Sequence, residues 1–270
     1  MIFFPRLPKS SILFCLLLPL LLSSCSSVPW QSKTLILKLD PAYEEYQRQF
    51  ADIQRAQRAI NPSFDAEARI EITSSLKNKK FAGYLAILSP SYIKFVLSSP
   101  LGQPLVVATG DGQNWQTINT QSKSYQRDKI SQFLRDQDLP KEIAQIGLAN
   151  ILSAQIGRGF NPPWALKDDK KNRGIWYAPL SGTTAEHILV DYRGRKIIGR
   201  TIGSTEKQQI VILYDDWTVI DGYEIPSLIT ISGLSYGAEI KIILTEIIAQ
   251  PRLQKTSFQI VPPPGFRQSS

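Results

Sequence analysis

The chain of 270 residues has a formal net charge of +8 and two cysteines, Cys15 and Cys25. Its length is enough for one large domain with a sizeable core, and because no long linker interrupts the pattern we expect a single domain. The excess of basic residues favours anionic surfaces such as a membrane, whereas no arginine-rich helix or zinc motif supports nucleic-acid binding. Two cysteines, one of them in a leader, exclude a disulfide framework, a redox pair and a thiolate metal site.

The N-terminus has the three parts of a secretory signal peptide. Two basic residues precede an apolar run from Ile12 to Leu22, and the small residues Ser23 and Ser24 lead to Cys25. The run is too short to span a bilayer, which takes ~20 apolar residues. The pattern resembles a bacterial lipobox, in which the cysteine is acylated and becomes the new N-terminus. We therefore expect residues 1–24 to be a signal peptide and Cys25 to be lipidated, the alternative being an ordinary secretory signal in which Cys25 is incidental.

A tether and a helix are predicted next. Residues 25–39 form a tether of mixed polarity, in which residues 35–39 also allow an edge strand. Asp40-Pro41 indicates the start of a helix and Asn61-Pro62 its end. Between them apolar residues recur at helical spacing, so that one stripe of the helix faces the core. The stripe consists of Tyr43, Tyr46, Phe50, Ile53 and Ile60.

The period of the pattern then changes from helical to two. From Phe64 to Ile72 apolar residues alternate with charged ones, which indicates a half-buried strand. Turn residues separate several further short apolar segments before Tyr125, as in an antiparallel meander. The other predicted strands are residues 81–88, 92–97, 105–109, 114–118, 175–178, 187–192, 196–202, 208–214, 227–232 and 238–247.

The segment between the two groups of strands predicts two helices, Asp128–Gln137 and Pro140–Gln155, and then a loop, Arg158–Arg173. The second helix has a broad apolar face and must therefore cover an apolar surface, with a C-cap expected at Gly157. This face consists of Ile143, Ile146, Leu148, Ile151 and Leu152. We expect the folded domain to span residues 40–260 and the proline-rich residues 261–270 to be a flexible tail.

Three features raise the question of an enzyme. Gly233–Gly237 matches G-x-S-x-G, but that elbow needs a following helix and a later histidine. Here Glu239–Ile242 alternates as a strand, and the only histidine, His187, precedes the serine. The pairs Asp168-Asp169 and Asp215-Asp216 lack the further ligands or carboxylates of a metal or glycosidase site. We therefore expect no catalytic residue, no metal site and no cofactor.

The order of the elements resembles the LolA/LolB family of lipoprotein-localisation proteins. The similarity covers most of the chain after Cys25 and includes the strand-to-loop passage Tyr92–Gly102, most specifically Pro100-Leu101-Gly102. It implies an α+β, mainly antiparallel β fold: a half-open curved β-sheet, or incomplete barrel, lidded by helices around an apolar cavity for acyl chains. By position, residues 130–156 and the apolar face named above would form the lid.

The resemblance also implies a function. A LolB-like protein, held in the outer membrane by acylated Cys25 and facing the periplasm, would receive lipoproteins or lipids from a LolA-like carrier, bind their acyl chains and insert them. The leucine that matches Leu101 contacts the membrane in that family, and Pro100 and Gly102 predict a loop tip there. Ser26 favours the outer membrane, because the sorting rule of well-studied lipoproteins retains those with Asp at that position. The alternative is a non-enzymatic accessory lipoprotein that uses the same fold to bind another envelope protein.

Overall fold

The computed structural model describes residues 35–36, 40–59, 62–75, 78–157, 159–180, 185–193, 195–203, 209–220, 222–249 and 252–269. The helices are α1 (Tyr43–Arg58), α2 (Ile130–Asp136), α3 (Glu142–Ile146) and α4 (Leu148–Leu152). The strands are β1 (Leu35–Ile36), β2 (Ser63–Thr73), β3 (Asn78–Leu88), β4 (Tyr92–Ser98), β5 (Pro104–Gly110), β6 (Asn114–Asn119), β7 (Ser124–Lys129), β8 (Trp164–Asp168), β9 (Gly174–Pro179), β10 (Glu186–Asp191), β11 (Ile197–Ile202), β12 (Ile210–Ile220), β13 (Tyr223–Ser232), β14 (Glu239–Ala249) and β15 (Arg267–Ser269).

These strands form one sheet in the order β1-β8-β9-β10-β11-β12-β13-β14-β2-β3-β4-β5-β6-β7-β15. Neighbouring strands are antiparallel, except that β15 pairs with β7 in parallel. Strand β1 forms one edge, as the apolar residues of the tether allow. The expected fold class, a mainly antiparallel, half-open curved sheet with helices, is confirmed. Cys25 and the rest of the N-terminal leader lie outside the described residues.

Alternating polarity gives the sheet a buried, concave face. On β2 the side chains of Phe64, Ala66, Ala68 and Ile70 are buried, whereas the residues between them are more exposed. The pairing of β2 with β3 and β14 carries the same face across the sheet. Because the side-chain period of a strand is two, this register keeps every apolar side chain of the row on the concave side.

Helix α1 packs on the concave face, and Phe50 is at the centre of this contact. Phe50 is fully buried, and its ring stacks on Tyr177 at 4.2 Å and meets the edge of Trp164 at 4.7 Å. The Asp40 carboxylate accepts a hydrogen bond from the Ala42 N–H at 2.8 Å, just before the helix begins. The predicted packing helix is therefore confirmed. No helix in the described part of the chain is both long and apolar enough to cross a membrane.

The second predicted helix of the insertion is wrong in its extent. Instead of one helix from Pro140 to Gln155, the chain forms the short helices α3 and α4, separated by Gly147 with φ +88°. Glycine adopts this positive φ without steric cost, and the change of backbone conformation ends α3. The helical pattern then stops at Leu152, well before Gly157.

Two predictions about the flanking segments are also wrong. The expected loop 158–173 contains β8, whose Trp164 and Leu166 are buried beneath α1 and beside β9. The first helix of the insertion was expected to begin at Asp128, but Asp128 and Lys129 end strand β7, which pairs with β6. Each of these strands pairs with its hairpin neighbour on one side and, on the other side, with a strand that is distant in the sequence: β1 for β8 and β15 for β7.

Candidate functional site

Burial of the concave face changes along the strands. Strands β13, β14 and β2 each carry a buried isoleucine. Two positions closer to the same end of the sheet, each strand carries a second isoleucine that is only half-buried. The buried and half-buried residues are Ile229 and Ile231, Ile242 and Ile240, and Ile70 and Ile72, respectively. The concave face is therefore closed toward one end of the strands and open toward the other.

Six half-buried apolar side chains form a patch at the open end of the concave face. Register places Ile231 opposite Ile240, and Ile240 opposite Ile72. We call the six residues the rim patch; they are Ile72, Phe81, Phe95, Leu97, Ile231 and Ile240. A concave apolar surface with few polar groups is what an acyl chain requires, and partly exposed apolar clusters of this kind mark binding surfaces.

Three hairpin turns border the rim patch. They are residues 233–238, the connection from β2 to β3 that begins at residues 74–75, and residues 99–103, and they are adjacent because they join six consecutive strands of the sheet. We call them the hairpin rim. The structure places Leu101 at the tip of the third turn with 88% of its surface exposed. The following residue, Gly102, has φ +78° and donates its N–H to the Ser99 carbonyl at 2.9 Å, which fixes the tight bend.

The insertion of helices α2 to α4 covers the closed part of the concave face. Of the lid residues expected from the sequence, Ile143, Ile146, Ile151 and Leu152 are buried and Leu148 is half-buried, all packed in the main core cluster. Helix α2 is attached through Phe133, whose ring stacks on Trp115 at 4.6 Å. Side chains therefore occupy the space beneath this lid, and the rim patch is a half-buried apolar part of the concave face beside it. The connection between α2 and α3 reaches the hairpin rim, where Asp138 contacts Ser235 at 3.4 Å.

A buried polar cluster ties the lid to the sheet. The Arg200 guanidinium, which is fully buried, donates to the Glu186 carboxylate at 2.9 Å and to the Gln155 carbonyl at 2.9 Å. The Tyr214 hydroxyl donates to the Ile151 carbonyl at 2.6 Å. Burial raises the pKa of Glu186, and the positive charge of Arg200 acts in the opposite direction. We call Glu186, Arg200 and Tyr214 the latch; no sequence pattern indicated it.

A second groove, of about 440 Å³, lies between α1 and the ends of β11 to β13. Its apolar wall includes Ile53, Ile197 and Trp217. At its edge the Lys196 ammonium is 3.1 Å from the Glu224 carboxylate and lies over the Trp217 ring. No sequence pattern pointed to this groove, because its walls come from distant segments.

The residues considered for enzymatic chemistry have local structural partners. Ser235 is followed by strand β14, not by a helix, and its hydroxyl contacts Asp138 at 3.4 Å. His187 Nδ1 is 2.8 Å from the Thr201 hydroxyl. Asp169 accepts hydrogen bonds from Arg173 and from the Trp176 indole and so stabilises a turn. Within the described residues, no three His, Cys, Asp or Glu side chains are grouped so that they could hold a metal ion.

His187 makes folding sensitive to mild acid. Burial and, to a smaller extent, Lys167 lower its pKa to about 4, so the folded chain binds fewer protons than the unfolded chain between that value and ~6.5. The associated stability is present above pH ~6.5 and is lost as the pH falls. We expect the free energy of unfolding to fall by about 2–3 kcal/mol between pH 7 and 4.5 through this group. Urea titrations of the wild type and His187→Gln should show the difference, and an unchanged pH profile in the variant would contradict it.

A half-open antiparallel sheet with helices on its concave face is the LolA/LolB-like fold, and this chain has that fold. It is similar to a domain from Vibrio parahaemolyticus named for outer-membrane lipoprotein sorting, with a TM-score of 0.54 at 11% identity over 80% of this chain and 97% of that one. A DUF1329 family protein from Desulfovibrio piger gives a TM-score of 0.53 at 12% identity over 79% and 97%. No family model and no curated protein matches the sequence. Identities this low show the fold alone.

Proposed function

We propose that the chain is a non-enzymatic envelope lipoprotein that binds acyl chains on the rim patch and delivers lipoproteins or lipids to a membrane. The single observation that carries the proposal is the position of the rim patch: a half-buried apolar surface on the concave face lies next to the hairpin rim, where Leu101 projects into solvent. A chain bound on the patch lies next to the rim and can leave the protein there.

The energetics suit transfer. Each methylene removed from water contributes about 0.8 kcal/mol, so an acyl chain leaves one apolar environment only for another of similar character. The rim patch is half-buried and lies at the open end of the concave face, so we propose that it covers a bound chain on one side only. Cargo is therefore held more weakly here than in a bilayer, and delivery is downhill. The name of the Vibrio parahaemolyticus domain, which refers to outer-membrane lipoprotein sorting, supports the same kind of cargo. We propose that a LolA-like periplasmic carrier supplies it.

The proposed anchor is the acylated Cys25, which would hold the protein on the periplasmic face of the outer membrane. Two or more acyl chains bind a protein stably to a membrane where one chain binds it marginally. Cys25→Ala should therefore give an unprocessed or soluble protein on cell fractionation. Normally processed, membrane-bound Cys25→Ala protein would contradict the anchor.

Leu101→Glu tests the delivery step. An interfacial leucine contributes about 1.5–3 kcal/mol at most, which is too little for anchoring but enough to slow transfer by about tenfold when a charge replaces it. We expect slower transfer from a loaded LolA-like carrier to acceptor vesicles, with unchanged folding and anchoring. The matched control is Val261→Glu, because Val261 is also exposed, at 84%, but lies in the C-terminal segment. Equal transfer rates for the two variants would refute a role for Leu101 in delivery.

The latch and the filled lid favour a second candidate, an accessory lipoprotein that uses this fold to bind another envelope protein. A buried ion pair and packed side chains occupy the closed part of the concave face, as expected of a surface that holds a protein partner instead of lipid. Native mass spectrometry of the full chain released from membranes separates the two. Additional bound lipid supports acyl-chain binding, and a stoichiometric protein partner without lipid supports the accessory function.

A further inference from the structure

Tyr236 occupies a position that both backbone and solvent disfavour. It is 80% exposed, and its φ of +59° is in the left-handed region, where a bulky side chain is strained. Gly233 and Gly237 in the same turn also have positive φ, so glycine would satisfy this backbone at no steric cost. Strained residues of this kind concentrate at functional sites. The turn keeps a large aromatic side chain in water where folding gains nothing from it.

Tyr236 and Leu101 lie at the same end of the sheet. Tyr236 is at the tip of the first turn of the hairpin rim, and Leu101 is at the tip of the third. The Ser75 hydroxyl of the middle turn donates to the Tyr236 carbonyl at 3.3 Å, which confirms that the turns are neighbours. Four strand spacings separate the two tips, or about 19 Å. Two exposed apolar tips at the same end of a rigid sheet can contact one flat surface together.

The charge at this end fits an anionic surface. Lys79, opposite Ile72 at the start of β3, and Lys123, in the neighbouring turn between β6 and β7, are both exposed. Beside the first turn, Glu239 is paired with Lys241 at 3.5 Å, and the Asp138 carboxylate contacts the Ser235 hydroxyl at 3.4 Å. The exposed lysines therefore lie on the Leu101 side of the hairpin rim, where they favour anionic lipid headgroups.

We propose that Tyr236 is a second membrane contact, which acts with Leu101 to set the open end of the sheet against the bilayer. The inference rests on the proposed function, in which Leu101 is the first contact. A tyrosine suits the interface because its ring is apolar and its hydroxyl remains hydrated. One contact point leaves the sheet free to tilt, whereas two points on the first and third turns of the hairpin rim orient the rim patch toward the acceptor membrane.

The full lipidated chain tests this in vesicles that contain anionic phospholipid. In the proposed mature form the thiol of Cys25 is acylated, so a single cysteine introduced by Tyr236→Cys or Leu101→Cys carries one environment-sensitive dye, as verified by mass spectrometry. Val219→Cys is the control, because Val219 is 63% exposed near the opposite end of the sheet. We expect a blue shift and quenching by spin-labelled lipid at positions 236 and 101, and neither at 219.

The outcomes separate this inference from the proposed function. Dye insertion at 101 without insertion at 236 overturns the second contact and leaves the function intact. Insertion at neither position overturns both. A shift at 236 that needs a carrier protein and occurs without lipid identifies a protein contact and also overturns the inference.

A second variant works even if the dye disturbs the turn. Tyr236→Gly relieves the left-handed strain, so its midpoint of chemical unfolding should rise while its transfer rate falls. The matched control is Asn172→Gly, because Asn172 has φ +53° in a turn at the opposite end of the sheet; it should gain stability without loss of transfer. Unchanged transfer by a stabilised Tyr236→Gly protein would overturn the inference.

Discussion

Arg200→Met should lower the free energy of unfolding by about 3–5 kcal/mol, the usual cost of removing one partner from a buried ion pair. Without Arg200, the Glu186 carboxylate would be buried without a counter-charge and the Gln155 carbonyl would lose its donor. Burial already raises the pKa of Glu186, and the substitution should raise it further. Because the folded state then binds the extra proton, the loss should be larger at pH 8 than at pH 5.

The double variant Glu186→Met, Arg200→Met is the control, because apolar side chains of similar size often replace a buried pair at little cost. The double variant should recover most of the lost free energy of unfolding, and the loss that remains should not depend on pH. Denaturant unfolding measures both effects. Hydrogen exchange should also be faster in the single variant at residues 153–156, which the latch holds against the sheet. A loss below about 1 kcal/mol for the single variant, the range of exposed pairs, would show that the latch does not hold the lid.

Ile240→Glu should weaken acyl-chain binding by at least about tenfold, because covering one large aliphatic side chain contributes about 1.5–3 kcal/mol and a carboxylate in its place must be desolvated. Ile240 lies between Ile231 and Ile72 in the rim patch. Ile248→Glu is the matched control on the same strand, since Ile248 is 59% exposed. Titration of the full chain with a fluorescent fatty acid measures the affinity. Equal losses in the two variants would place the binding site elsewhere.

The parts of the fold that sequence predicts are those with a local signal. Alternating polarity predicts β2 because one of its faces is buried and the other is solvated. Strand β8 lacks that signal, since prolines and charged residues flank it in the sequence and helix α1 is what buries it. The break at Gly147 is hidden for another reason: apolar residues continue at helical spacing across it, and periodicity does not report a left-handed backbone.

The same distinction applies to the site. Pro100 and Gly102 predict the exposed tip at Leu101 because they act on the adjacent backbone. The rim patch has no such signal, since its residues come from five strands and become neighbours only through the register. The latch could not be predicted from the sequence because Glu186 and Arg200 are 14 residues apart, and because both faces of β10 are largely buried. Alternation therefore does not show which way the Glu186 side chain points.

Photo-crosslinking tests the central claim most directly. A fatty acid with a photoreactive group at the end of its chain would be bound to the full chain, irradiated and located by peptide mass spectrometry. The account predicts crosslinks to the ends of β2, β3, β4, β13 and β14 that carry the rim patch. Crosslinks confined to the groove between α1 and Trp217, or a well-folded protein that takes up no fatty acid, would contradict it.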